Sequence, residues 1–97
     1  MLVALSSFDI RIPMADSLKG KRHVVKSLTA GLRGKFNVAV AEVDHQDLRQ
    51  RATLAVSAVA GEGYQLKKVM LEVARFIERQ PEVELLEHRM TLHSQDD

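Results

Sequence analysis

The 97-residue chain has no cysteine and no tryptophan, and only one tyrosine, three phenylalanines and two prolines. The missing thiols exclude disulfides and thiolate metal centres, and they leave the redox compartment open. So few aromatics exclude the run of stacking rings with which RNA-recognition sheets read bases. The most apolar stretch, MLVALSSFDIRIP, is broken by Asp9 and Arg11 and lacks the basic start of a secretion signal. Neither a membrane span nor a signal peptide is expected, so the protein is read as cytoplasmic with no membrane partner. Phosphate-binding loops of the GxxxxGK[ST] or GxGxxG kind are missing, as are HExxH and any legible Ser-His-Asp or Cys-His set. No cofactor, metal or catalytic residue is expected.

What is present is a composition of 45% hydrophobic and 28% charged residues, enough for one globular domain over residues 1–97. A domain this small buries only about 60–65% of its unfolded surface, so a partner subunit would add stability. The net charge is +1, but it is unevenly spread. Residues 1–35 hold seven Lys/Arg against two acidic residues, and residues 36–97 hold seven against eleven. The first part can attract phosphates, while the acidic remainder argues against indiscriminate nucleic-acid binding.

Alternation from Leu2 to Ile12 places Phe8, Ile10 and Ile12 on one side, the period of a strand, and Pro13 ends it for want of an N–H. From Ser17 the period changes to that of a helix. At about 100° per residue, Leu18, Val25, Leu28, Leu32 and Phe36 share one side, with Val24 at its edge. Asp16 or Ser17 is the candidate N-cap, and Gly34 the expected terminator. Phe36 to Val43 reads as a second strand, Asp44 to Asp47 as a polar turn, and Ala52 to Ala60 as a third strand. Beyond Gly61-Glu62-Gly63, the spacing of Leu66, Val69, Met70, Val73, Phe76 and Ile77 predicts a second helix over Tyr64 to Arg79. Pro81 lies past its end, Val83 to His93 reads as the last strand, and Ser94 to Asp97 as a short tail.

The order β-α-β-β-α-β is the ferredoxin-like α+β plan: a four-stranded antiparallel sheet, first and third strands central, with both helices on one face. The other face of that sheet then carries Val3, Leu5, Ala55 and Val59, with Ala39, Ala41 and Val43 beside them. An apolar patch of that kind is unusual on a monomer and predicts a homo-oligomer or a covering partner.

The runs SLKGKRHVVKSL and LRGKFNVAVAEVD, the turn HQD and the strand ATLAVSAVA resemble the YlxP-like proteins, a family of small bacterial proteins of unknown function. The resemblance extends over essentially the whole chain. It implies a ferredoxin-like fold in the bacterial cytoplasm and, because members are often encoded near translation and ribosome-maturation factors, a link to ribosomes or RNA. It supplies no catalytic residues. An aromatic that often follows the polar turn in the family is replaced here by Leu48 or Arg49, so no role for it carries over.

The candidate binding surface is the first helix. Lys19, Arg22, Lys26 and Arg33 fall within an arc of about 60°, with Lys21 and Lys35 at the margins. Such a row can straddle a phosphate backbone, contacting phosphates with little base specificity, and it would equally serve as a solvated helix face. The helix start Ser17-Leu18-Lys19-Gly20-Lys21 offers a weaker anion site. Glu42, Asp44, His45 and Asp47 cluster without the spacing of a calcium loop, and His23, His88 and His93 are scattered, so metal has little support. Acylphosphatases share this topology, and Asn37 is roughly where they need an asparagine. The loop Pro13 to Asp16 lacks their arginine, and the glycine-rich run is absent. The expectation is therefore a non-enzymatic accessory protein contacting RNA or a ribosomal subunit. The alternative is a homo-oligomeric interaction module with no nucleic-acid role.

Overall fold

In the computed structural model, which describes residues 1–95, the chain follows the order β1 (Leu2–Arg11), α1 (Leu18–Lys35), β2 (Ala39–Asp44), β3 (Arg51–Ala60), α2 (Gly63–Glu78) and β4 (Glu84–Ser94). The strands form one antiparallel sheet in the order β2-β3-β1-β4, so β1 and β3 are central as expected. This is the ferredoxin-like α+β fold. Asp96 and Asp97, the end of the expected tail, lie outside the described residues, whereas Ser94 closes β4.

The period of two in β1 decides which side is core. Ala4, Phe8 and Ile10 are fully buried, and they meet Ala52, Leu54, Val56 and Ala58 of β3. Val25, Leu28 and Leu32 of α1 and Leu66, Met70, Val73 and Ile77 of α2 close the core from the same side. Val3, Leu5, Ser7, Asp9 and Arg11 alternate onto the opposite face. Ser6 of β1 and His88 of β4 bring polar groups to the core side and satisfy each other: the imidazole of His88 stacks on Phe8 at 4.2 Å between ring centres, and its Nε2 lies 3.2 Å from Ser6 Oγ.

Ser17 is the N-cap of α1, its Oγ accepting a bond from the Gly20 N–H at 3.0 Å. The other end departs from expectation. Gly34 does not stop the helix: no glycine has positive φ, and α1 continues to Lys35. Phe36 follows as the C-cap, its N–H bonded to Leu32 O, and its ring meets Phe76 of α2 edge to face. Residues 36–38 are therefore a helix exit and not strand, because the ring of Phe36 has a partner between the helices. Asn37 lies in this link, ahead of β2, and not on a strand. Gly31 is the glycine the packing requires, since a Cβ there would stand 2.9 Å from Phe76 Cζ.

Elsewhere the limits shift by about a residue. Ile12 leaves β1 but still donates its N–H to Gln50 O at 2.9 Å. Gln50 Nε2 in turn holds Pro13 O and Ala15 O, stitching the β1–α1 loop.

Gly34 has open space around its Cα, so Gly34→Ala should raise stability by about 0.5–1 kcal/mol through helix propensity. Gly31→Leu should lower it by about 1–3 kcal/mol through overpacking against Phe76. Urea midpoints check both. Burial holds the His88 pKa below its ordinary 6.5. The folded protein then binds fewer protons than the unfolded chain just below pH 6.5, so stability is full above that value and declines as pH falls through the folded pKa. His88→Leu should remove that slope in urea midpoints measured from neutral pH down to about 5, above most carboxylate titration.

Candidate nucleic-acid interface

Lys19, Arg22, Lys26 and Arg33 all lie on the exposed side of α1. At 1.5 Å per residue, the row from Lys19 to Arg33 is about 21 Å long. Arg33 is partly engaged, donating from Nη2 to Val40 O at 2.6 Å, which ties the last turn of α1 to β2. Lys35 is exposed, with its Nζ 5.8 Å from the Phe36 ring centre and 5.7 Å from that of Phe76.

Lys21 is a correction. Its side chain is 0% exposed, with Nζ 2.7 Å from Glu42 Oε2 and 2.7 Å from His45 O. The ammonium approaches Oε2 off the direction of an aligned hydrogen bond, so the contact with Glu42 is an ion pair and the bond goes to His45. Lys21 therefore faces β2 and its turn and is unavailable to an external phosphate. At the helix start only Lys19 is free of the two lysines, and Ser17 Oγ is used on Gly20, which leaves little of an anion site there.

The polar turn after β2 is built on this contact. His45 has φ of 63°, the left-handed region, and its carbonyl also accepts the Leu48 N–H at 3.0 Å. Asp44 Oδ1 accepts the His45 N–H at 2.8 Å. Glu42 and Asp44 thus have structural partners, and among the described residues no three His, Asp or Glu side chains gather as a metal site. His23 is exposed on α1, and His93 is exposed on the open face of β4, the side opposite the core-facing His88.

The structure adds cations that the α1 row did not include. Gly31 lets α1 and α2 approach closely, and a cleft of about 300 Å³ opens between Lys35, Phe36, Glu72, Arg75 and Arg79. Arg75 and Arg79 are four residues apart and both exposed, a spacing that was open to sequence reading. Charge is thereby divided by layer. α1 carries six Lys/Arg and no Asp or Glu; α2 carries Lys67, Lys68 and Arg75 against Glu72 and Glu78. The rest of the chain has five Lys/Arg against eleven Asp/Glu. Among the described residues the ion pairs are Lys21–Glu42 and the exposed Arg89–Glu87, so the outward cations of the helix layer have no carboxylate at ion-pair distance.

On the opposite side of the sheet, register brings the expected oligomer-interface residues together. Val3 pairs with Val59, Leu5 with Ser57, and Ser7 with Ala55. Ala39 and Ala41 extend the same face through their pairing with Ser57 and Ala55, and Val43 lies at the bulge beyond. Leu5 is 49% and Val59 66% exposed, while Val3 and Ala55 are half-buried.

Residues 3–90 match the family described as protein of unknown function DUF503. The chain is also similar to a Bacillus subtilis (strain 168) protein described as uncharacterized protein YlxP, with 39% identity over 70 residues, 72% of this chain and 76% of that protein. Neither description indicates an enzymatic activity. Among the described residues no helix is long and apolar enough to cross a membrane.

Removing Lys21 leaves Glu42 facing the interior with 19% exposure and no counter-charge. Lys21→Met should cost roughly 3 kcal/mol, the low end for breaking a buried pair because Glu42 keeps some water. Lys21→Met combined with Glu42→Leu should recover most of that loss, and a double-mutant cycle of urea midpoints measures the coupling.

Proposed function

The chain belongs to the YlxP-like family of proteins of unknown function, DUF503, and from that premise we propose that it is a non-enzymatic accessory protein that binds RNA, on its own or in a ribosomal subunit, through the outer surface of its two helices. The observation that carries the reading is the division of charge by layer, with an α1 devoid of acidic side chains and an outward row of cations that, among the described residues, have no carboxylate at ion-pair distance. Lys19, Arg22, Lys26 and Arg33 contact successive phosphates, and Lys35, Arg75 and Arg79 extend the track across the cleft toward α2. Without aromatics aimed outward in a row, binding is directed at phosphate and tolerates many sequences.

The test is cosedimentation with bacterial ribosomal subunits over a salt series. Four phosphate contacts give a slope of about −2.8 to −3.6 in log affinity against log salt, a loss of about 50- to 150-fold between 50 and 200 mM. Arg22→Glu with Lys26→Glu should flatten the slope and lower low-salt affinity by at least about tenfold. Both residues are exposed, so folding should be unaffected. Binding that ignores both salt and these substitutions would contradict the reading.

A further inference from the structure

We propose that the open face of the sheet is a homodimer interface in which Leu5 of each copy enters a hollow on the other. The relief of that face is self-complementary. Leu5 stands out between two depressions floored by small side chains. One, of about 160 Å³, lies over Ala39, Ala41 and Ala55. The other, of about 300 Å³, lies over Ser7 and Ala55 and is bounded by Arg89 and Thr91. Leu5 and Ser7 are neighbours on the same side of β1, so knob and hollow are about 7 Å apart along one strand. A two-fold axis crossing the strands midway between them carries each Leu5 over the other copy's Ser7. That makes an isologous contact, the commonest kind in closed oligomers.

The same operation fixes what meets elsewhere. Ala39 comes over Ala41 and Ser57 over Ala55, small on small, which lets two sheets approach at the usual spacing of about 10 Å. On the β4 side, His93 and Glu87 are in register with Val3 and Asp9, two levels apart, so His93 of one copy faces Glu87 of the other. Val3 comes over Asp9 and Val59 over Thr53, whose hydroxyl already donates to Asp9 Oδ1 at 2.7 Å, so a second copy matches this surface by shape at its centre, around Leu5. Arg11, Arg51 and Glu84 fall beyond the contact and stay in water.

Four strands about 4.8 Å apart and four residue levels about 7 Å apart cover on the order of 500 Å² per copy. The total of about 1,000 Å² is at the lower limit for a specific interface, so the dimer is a weak one whose population depends on concentration. The helices lie on the other side of the sheet, so the inference stands apart from the RNA reading, and a dimer would present two cationic helix layers outward.

Sedimentation velocity from low micromolar to several hundred micromolar protein tests it. The wild-type chain should pass from monomer to dimer mass, and Leu5→Glu should weaken association at least about tenfold. Leu5 is exposed, so an unchanged urea midpoint in dilute solution will show that this variant still folds. His93→Glu should weaken the dimer, and adding Glu87→Lys should restore it, which identifies the register. A wild-type chain that stays monomeric throughout, or a dimer indifferent to Leu5→Glu, would overturn the inference.

Discussion

The contact between Lys21 and Glu42 governs how this molecule presents itself. It ties the first turn of α1 to the edge strand β2, at 2.7 Å to the carboxylate and 2.7 Å to the carbonyl of His45. Burying a lysine this completely is costly unless both charge and hydrogen bonding are answered, and here Glu42 supplies the first and His45 the second. The same carbonyl closes the turn through Leu48, so one oxygen organises the β2–β3 loop and holds the helix above it. With Lys21 turned inward, the rotation of α1 is set. Lys19, Arg22 and Lys26 then point to water because helical geometry leaves them no other side.

That rotation, repeated at the far end by Arg33 on Val40 and by Gly31 against Phe76, gives the protein two unlike surfaces. The outer side of the helix layer is cationic, with no carboxylate at ion-pair distance among the described residues, and the sheet's open face is small-featured and apolar around Leu5. The small net charge of +1 hides this division entirely. A charged layer acts at long range and is weakened by salt, whereas an apolar face acts on contact and depends on fit. The two surfaces therefore suit different partners, and neither obstructs the other.

Much of the architecture was legible from period alone, because β3 and α2 each bury one continuous apolar face and β1 interrupts its own only at Ser6. The structure departs from the pattern where tertiary contacts outweigh local preference. Gly34 looked like a terminator, but the edge-to-face contact of Phe36 with Phe76 draws the helix one residue further and converts the expected start of β2 into a link. Lys21 belongs with the other cations of α1 by charge alone. Its angular position told otherwise, since at about 100° per residue it falls among Val25, Leu28 and Leu32 in the buried arc. Glu42 shares its strand side with the buried Val40, so the pair was present in the two patterns once they were compared. Arg75 and Arg79 stand outside the apolar spacing that marks α2, and their nearness to Lys35 depends on an interhelical crossing that no local pattern encodes.

The most direct measurement is a titration of isotope-labelled protein with a short single-stranded RNA, following backbone amide shifts residue by residue. Phosphate binding by the helix layer predicts perturbations along the outward residues of α1, from Lys19 to Lys35, and at Arg75 and Arg79 of the cleft. Amides of Val3, Leu5, Ala55 and Val59 should stay unmoved at the same protein concentration. Shifts confined to the sheet face, or none at low salt, would contradict the account.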